Sequence, residues 1–172
     1  MWERFFPDMY FDSVYEIPYK ELLARGRTAL VLDVDNTLAP YFVPRPPAKV
    51  GALIARLQKM GFRLCLLSNN KNGRLAAFNE TIGLPAVHMA MKPLAAGLKR
   101  AMRLLGAGPE NTVLIGDQIF SDVWCGRRTG VMTILTKPIS EREAPSVRIK
   151  RRLERPVLRA YAEFARKTEA PR

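Results

Sequence analysis

Apolar residues along this chain fall into short continuous runs, separated by stretches with helical spacing. Ala29-Leu30-Val31-Leu32 is one such run, and others lie at Phe62 to Leu67, Ala86 to Met89, Thr112 to Ile115 and Val131 to Leu135. Runs of this length without alternation predict parallel strands covered on both faces. Between them, Val50, Leu53, Ile54 and Leu57 recur at helical spacing from Pro47 to Met60, and Gly61 closes the segment. Further helices are predicted from Ile17 to Arg25 with Pro18 in the first turn, from Gly73 to Ile82, from Leu94 to Leu105, and up to about Arg128. Pro40 to Pro47 is too rich in proline for a helix or a central strand and reads as a loop. Strand and helix alternating in this way predict an α/β fold built on a doubly wound parallel sheet. The aromatic-rich residues 1–14 read as an arm packed on the core.

Composition changes the picture in one respect. The 172 residues, 48% hydrophobic and 26% charged, suit one globular domain. Its expected parts are an N-terminal arm and helix over 1–28, a core over 29–140 and a basic segment over 141–172. No apolar run approaches the ~20 residues that span a bilayer, and the first residues lack the pattern of a secretory signal. The two cysteines, Cys65 and Cys125, are not spaced as a C-x-x-C pair, so neither a zinc site nor a disulfide framework is expected, and a reducing cytoplasm is. The outlier is a formal net charge of +12. From Arg142 to Arg172, ten Lys or Arg stand against four Glu, half of the total excess. Such a balance favours a polyanionic partner, an anionic membrane face or nucleic acid, although a solvated basic surface reads equally well.

Chemistry-bearing residues sit just after the predicted strands. Asp33, Asp35 and Thr37 follow the first run, Ser68 the second, Lys92 the third, and Asp117 and Asp122 the fourth. Ligands of open α/β sheets bind outside the carboxyl ends of the strands, so these groups converge on one rim. Two carboxylates ~4 Å apart at an effective dielectric of ~20 repel by about 4 kcal/mol, so the Asp33/Asp35 pair calls for a cation, a proton or both. The lone His88 reads as a core or edge histidine, and Met89, Met91 and Met102 as packing.

The motif Asp33-Val34-Asp35-Asn36-Thr37, with Ser68, Lys92-Pro93 and Gly116-Asp117-x-x-x-x-Asp122 in that order, resembles the four motifs of the haloacid dehalogenase (HAD) superfamily. The resemblance spans about residues 29–135. It implies a Rossmann-like sheet and Mg²⁺-dependent phosphoryl transfer. It casts Asp33 as the nucleophile that becomes an aspartyl-phosphate and Asp35 as the general acid and base. Asp33, Asp117 and the backbone carbonyl of Asp35 would hold Mg²⁺. Ser68 would bind the phosphoryl oxygens, and Lys92 would neutralise their charge. Asp122 either reaches the metal through water or orients Lys92. Thr37 and Asn69 are candidate substrate contacts, with loop bracing and ordinary turn roles as their alternatives; Asn36 and Asn70 share the turn reading. An acid at position 35 fits a phosphatase better than a dehalogenase or an ion pump.

The intervals between Thr37 and Ser68 and between Ser68 and Lys92 are too short for the cap domains that the superfamily inserts there. A capless, open site suits a macromolecular or interfacial substrate, or a homo-oligomer that completes it. The motif details more closely resemble the subclass IIIA branch that includes the phosphatidylglycerophosphate phosphatases. That branch implies a phospholipid monoester as substrate. Ile149, Leu153, Val157, Tyr161 and Phe164 recur at spacings of three or four among arginines, an amphipathic basic pattern that reads as a helix docked on the sheet with a solvated basic face, or as a peripheral contact with an anionic membrane or with nucleic acid. Pro156 is expected to kink it or to start a second helix. The alternatives are a soluble capless phosphatase for a sugar phosphate or nucleic-acid end, and a non-enzymatic basic domain associated with RNA or the ribosome.

Overall fold

The computed structural model describes residues 2–70 and 73–169. Six strands form one wholly parallel sheet: β1 (Met9–Phe11), β2 (Ala29–Leu32), β3 (Arg63–Leu67), β4 (Ala86–Val87), β5 (Thr112–Gly116) and β6 (Met132–Thr136). Their spatial order is β1-β6-β5-β2-β3-β4. From β2 the chain winds outward through β3 to β4, then crosses back to β5 on the other side of β2. The switch point therefore lies between β2 and β5, whose carboxyl ends carry Asp33 and Asp117.

Among the described residues six α-helices cover the sheet: α1 (Tyr19–Ala24), α2 (Ala48–Lys59), α3 (Arg74–Asn79), α4 (Ala95–Leu105), α5 (Trp124–Thr129) and α6 (Pro145–Glu169). The apolar runs divide by parity, as a pleated strand requires. Leu30 and Leu32 join Leu64, Leu66, Val113 and Ile115 beneath α1, α2 and α3. Ala29 and Val31 join Cys65, Leu67 and Leu114 beneath α4 and α5. A fully buried leucine or isoleucine contributes about 1.5–3 kcal/mol, so these two layers fix the register of the central strands.

A third apolar cluster is smaller. Phe5 and Phe6 of the arm pack with Ile119, Val123, Leu135 and Val157, which joins α6 to β6. Phe6 also meets the rings of Tyr161 and Phe164 edge-on or tilted at 5.5 Å. The arm thus docks as expected, and it contributes an additional strand: Met9, Tyr10 and Phe11 pair in register with Ile134, Leu135 and Thr136.

Two local expectations are corrected. Pro156 does not start a second helix, because α6 runs unbroken from Pro145 to Glu169 with Pro156 on its exposed side. Its missing N–H leaves a carbonyl one turn earlier facing water, where it is cheaply satisfied. Met89 and Met91 do not pack; they are 53% and 62% exposed and flank the Lys92 loop, whereas Met102 is buried. His88, exposed just beyond the edge strand β4, fits the edge reading. The segment leading into α5 begins as a π-turn over Ile119–Val123.

Candidate active site

Asp33 leaves the end of β2 with its backbone N–H still bonded to the Ile115 carbonyl of β5. Its carboxylate is therefore carried by the sheet and not by a free loop. Oδ1 accepts from Lys92 Nζ at 2.5 Å and Oδ2 from Thr37 Oγ1 at 2.9 Å. Lys92 has a second carboxylate partner, Asp122 Oδ1 at 2.6 Å, and a third acceptor, the Leu67 carbonyl at 3.3 Å. All three ammonium protons are thus matched in a site where Lys92 and Asp122 are buried. Asp122 Oδ2 accepts from the Gln118 N–H at 3.1 Å, so both its oxygens are committed, one of them to orienting Lys92.

Gly116 makes that geometry possible. A Cβ built there would stand 2.2 Å from Asp122 Cγ, so the last residue of β5 must be the one without a side chain.

Asp117 follows directly. Its Oδ1 lies 3.2 Å from Thr37 Oγ1, and its Oδ2 is held by Arg151 of α6, which also donates to the Asp117 backbone carbonyl. Thr37, placed among candidate substrate contacts by its position, is buried and serves as a bridge between Asp33 and Asp117. Asn69 acts similarly: its side chain accepts from the Lys92 N–H at 2.8 Å and donates to the Lys92 carbonyl at 3.1 Å, fixing that loop. Asn36 adopts φ +64° and donates to Glu143 Oε1 and the Ser140 carbonyl, tying the first loop to the segment before α6.

Asp35 occupies the other side of the mouth. Oδ1 accepts from Arg74 Nε at 2.5 Å, and Ser68 Oγ lies 3.4 Å from Oδ2. Ser68 Oγ in turn accepts from the Asn70 N–H. The Asp35 side chain is separate from the group formed by Asp33, Asp117 and Asp122, each of which places one oxygen within 4.8 Å of the other two. Buried carboxylate oxygens this close are a hard donor set of the kind that holds a small divalent cation. Each of the three already has a cationic partner, Lys92 for Asp33 and Asp122 and Arg151 for Asp117.

The electrostatics agree. Burial pushes the Asp33 carboxyl up to about 7, with Lys92 pulling it down and Asp122 and Asp35 pushing it up. Burial likewise raises Asp117, opposed by Arg151 and reinforced by Asp33 and Asp122. Burial lowers the Lys92 pKa, but Asp122 and Asp33 outweigh it and the net direction is up, so this ammonium stays charged. The cluster has more negative charge than its cations neutralise. That excess suits an added cation.

Above these groups opens a cavity of about 290 Å³. Asp33, Asp35 and Lys92 form its floor, and Tyr41, Val147 and Lys150 contribute to its walls. Two loops and α6 therefore stand where an inserted domain is absent. Arg74, Glu143, Arg151 and Glu154 were not singled out from sequence as parts of a site, yet they hold its carboxylates and loops in place.

The site is thus a Rossmann-like parallel sheet with three acids, a lysine and a serine gathered beyond its strand ends, an arrangement suited to phosphoryl transfer. A family model described as HAD-hydrolase-like matches residues 89–149. "Probable phosphatase YqeG" of Bacillus subtilis is 31% identical over 161 residues, 93% of this chain and 94% of that protein. The chain belongs to the HAD superfamily and is a phosphatase of the capless type. Phosphatidylglycerophosphate phosphatase 1 of Chlamydomonas reinhardtii (chloroplastic) is 27% identical and that of Arabidopsis thaliana (chloroplastic/mitochondrial) 28%. The alignments cover 86% and 84% of this chain but only 59% and 44% of those longer proteins. Among solved structures, a thermostable NPPase from Geobacillus stearothermophilus superposes with a TM-score of 0.54 at 11% identity, over 71% of this chain and 95% of that one. The deoxy-D-mannose-octulosonate 8-phosphate phosphatase of Haemophilus influenzae gives 0.51 at 16%, over 80% and 91%. These structural likenesses establish the fold.

Proposed function

We propose that this phosphatase hydrolyses phosphatidylglycerophosphate to phosphatidylglycerol, with Mg²⁺ as cofactor and an aspartyl-phosphate on Asp33 as intermediate. The observation that carries the chemistry is the placement of Asp33 at the floor of an open cavity, bonded to Lys92 and Thr37 and beside Asp117. When bound, Mg²⁺ supplies charge stabilisation to the phosphoryl oxygens. Asp33, Asp117 and the Asp35 backbone carbonyl would hold it. An Asp33 carboxylate oxygen forms the new bond to phosphorus as the ester P–O bond breaks. Asp35, supported by Arg74, gives its proton to the departing alkoxide and then takes one from the water that cleaves the aspartyl-phosphate. Lys92 and Ser68 offset and orient the charge on the transferring group.

The lipid reading draws support from two directions. Two relatives bear the name phosphatidylglycerophosphate phosphatase. On α6, Ile149 and Leu153 are 61% and 59% exposed beside exposed Arg148, Arg152, Arg155 and Arg159. At 3.6 residues per turn Ile149 and Leu153 extend the stripe of buried Val157 into solvent as an apolar ridge, and the four arginines lie on its flank. No helix among the described residues is long and apolar enough to cross a membrane. The enzyme would thus bind peripherally to an anionic leaflet through 142–172, from the cytoplasmic side.

The test is Mg²⁺-dependent phosphate release from phosphatidylglycerophosphate in mixed micelles, beside a panel of soluble phosphate esters, for wild type and Asp33→Asn. Preferential lipid turnover that disappears in Asp33→Asn is expected. Turnover confined to soluble esters would retain the chemistry and overturn the lipid assignment.

A further inference from the structure

We infer that Arg151 is a positioning residue for the cation site, so that α6 supplies part of the active-site framework. This rests on the reading of Asp117 as a metal ligand. Arg151 lies beyond the stretch matched by the family model and outside every motif that carries the superfamily resemblance.

The geometry has three parts. First, the guanidinium grips Asp117 at two points, its Oδ2 and its backbone carbonyl. That fixes side chain and main chain together and leaves Oδ1 directed toward Thr37 and, through it, Asp33. Second, the same guanidinium is itself fixed. Glu143 Oε1 accepts from it at 2.8 Å, and Glu154 Oε2 at 3.3 Å. Third, the two glutamates anchor the loops that bear the acids. Glu143 Oε1 accepts from Asn36 Nδ2 at 2.9 Å, between Asp35 and Thr37, and Glu154 Oε1 accepts from the Phe120 N–H at 3.1 Å, between Asp117 and Asp122. One arginine therefore links the loop after β2 to the loop after β5.

Charge gives two opposed expectations. A guanidinium beside a ligand carboxylate repels an incoming cation, yet a carboxylate held in one orientation binds that cation better. Orientation prevails here, because Arg151 takes Oδ2 and leaves Oδ1, and because Asp33, Asp35 and Asp122 still leave the mouth rich in negative charge. Partners that orient a metal's ligands typically account for 10- to 100-fold in affinity. A lysine retains the charge but cannot span the carboxylate and the carbonyl as a planar fork does.

The experiment is calorimetric titration of metal-free protein with MgCl₂ for wild type, Arg151→Lys, Arg151→Met and, as control, exposed Lys99→Met, with circular dichroism of each. The dissociation constant is expected to rise roughly 10-fold in Arg151→Lys and up to about 100-fold in Arg151→Met, with the control at the wild-type value. If Arg151→Met does not fold, Arg151→Lys decides. A folded Arg151→Lys within two-fold of wild type, or either variant binding more tightly, overturns the proposal; tighter binding makes the guanidinium a competitor. Wild type that binds no Mg²⁺ would instead overturn the cation reading itself, and this inference with it.

Discussion

Arg74, in the first turn of α3, places its Nε 2.5 Å from Oδ1 of Asp35 while donating to the Val43 and Pro40 carbonyls. It joins the proline-rich loop to the proposed acid–base group. Arg74→Met should leave the fold intact and lower kcat by about 10- to 100-fold, with a smaller change in KM, because a misplaced catalytic group loses rate more than binding. Steady-state kinetics on p-nitrophenyl phosphate, with circular dichroism as control, measure this. An unchanged kcat would make Arg74 a brace of the loop alone.

Asp33→Asn removes the proposed nucleophile while retaining an acceptor toward Lys92 or Thr37. Turnover is expected to fall by at least about 10³-fold on every ester tested, since the amide cannot form the acyl phosphate. Single-turnover phosphate release is the measurement, and residual activity above that level would exclude covalent catalysis at this position.

Lys92→Met leaves Asp33 and Asp122 buried without their common cation. Loss of one partner of a buried ion pair costs about 3–5 kcal/mol. Urea unfolding of the metal-free variant should show a loss of that order, and phosphatase activity should vanish. Stability close to that of wild type would show that the carboxylates escape the penalty by taking up protons.

The pH dependence of the metal-free protein follows from Asp33 and Asp117. Both folded-state values are raised, chiefly by burial, and Asp33 is pushed up to about 7. A carboxyl raised above its unfolded value of about 4 keeps its proton in the folded state after the unfolded chain has lost it. Stability from these groups is therefore full at the acidic end and is lost as pH rises from about 4 toward 7. Lys92 stays protonated across that window and contributes no slope. Melting temperature in EDTA should fall between pH 5 and 8, by about 2–4 °C per kcal/mol. Saturating Mg²⁺ should flatten the fall. Thermal melts across that range measure both, and a rising curve in EDTA would contradict the reading.

Gly116→Ala introduces a methyl 2.2 Å from Asp122 Cγ. Asp122 must move, and Lys92 moves with it. Activity should drop by about 100-fold or more, as expected for ångström-scale displacement of a charged group at the reacting centre. Asp122→Asn should fold well and lose activity less, because its side chain still fills the site and accepts from Lys92. The ranking of these two variants tests whether position, more than charge, is what Asp122 provides.

The central sheet was legible because burial on both faces leaves an unbroken apolar run, as in Ala29-Leu30-Val31-Leu32 and Thr112 to Ile115. The rim residues were legible because each follows such a run. β1 was not, for it has three half-buried residues and a partner more than 120 positions away. The functional arginines were harder still. Arg151 has the same composition signal as the solvated Arg148 and Arg152 near it in the chain, and Arg74 has no more than any lone surface arginine. One signal was available for Arg151: it lies on the inward side of α6 with Val147, Glu154 and Leu158, positions three and four apart. An acidic and a basic residue on the apolar side of a terminal helix indicate a buried counter-charge, and Asp117 provides it. Thr37 and Asn69 lie beyond the strand ends, and their bracing contacts depend on loop geometry that spacing does not encode.

The pairing of β1 with β6 also sets an order of events during synthesis. Met9 leaves the ribosome early and waits for Ile134 before it has a strand to join. Asp33 and Asp117 follow, yet the Arg151 and Glu154 contacts to the Asp117–Asp122 loop form only when α6 emerges. Pairings this distant in sequence close late. A nascent chain stalled before α6 therefore holds Asp117 and Asp122 on an unfastened loop.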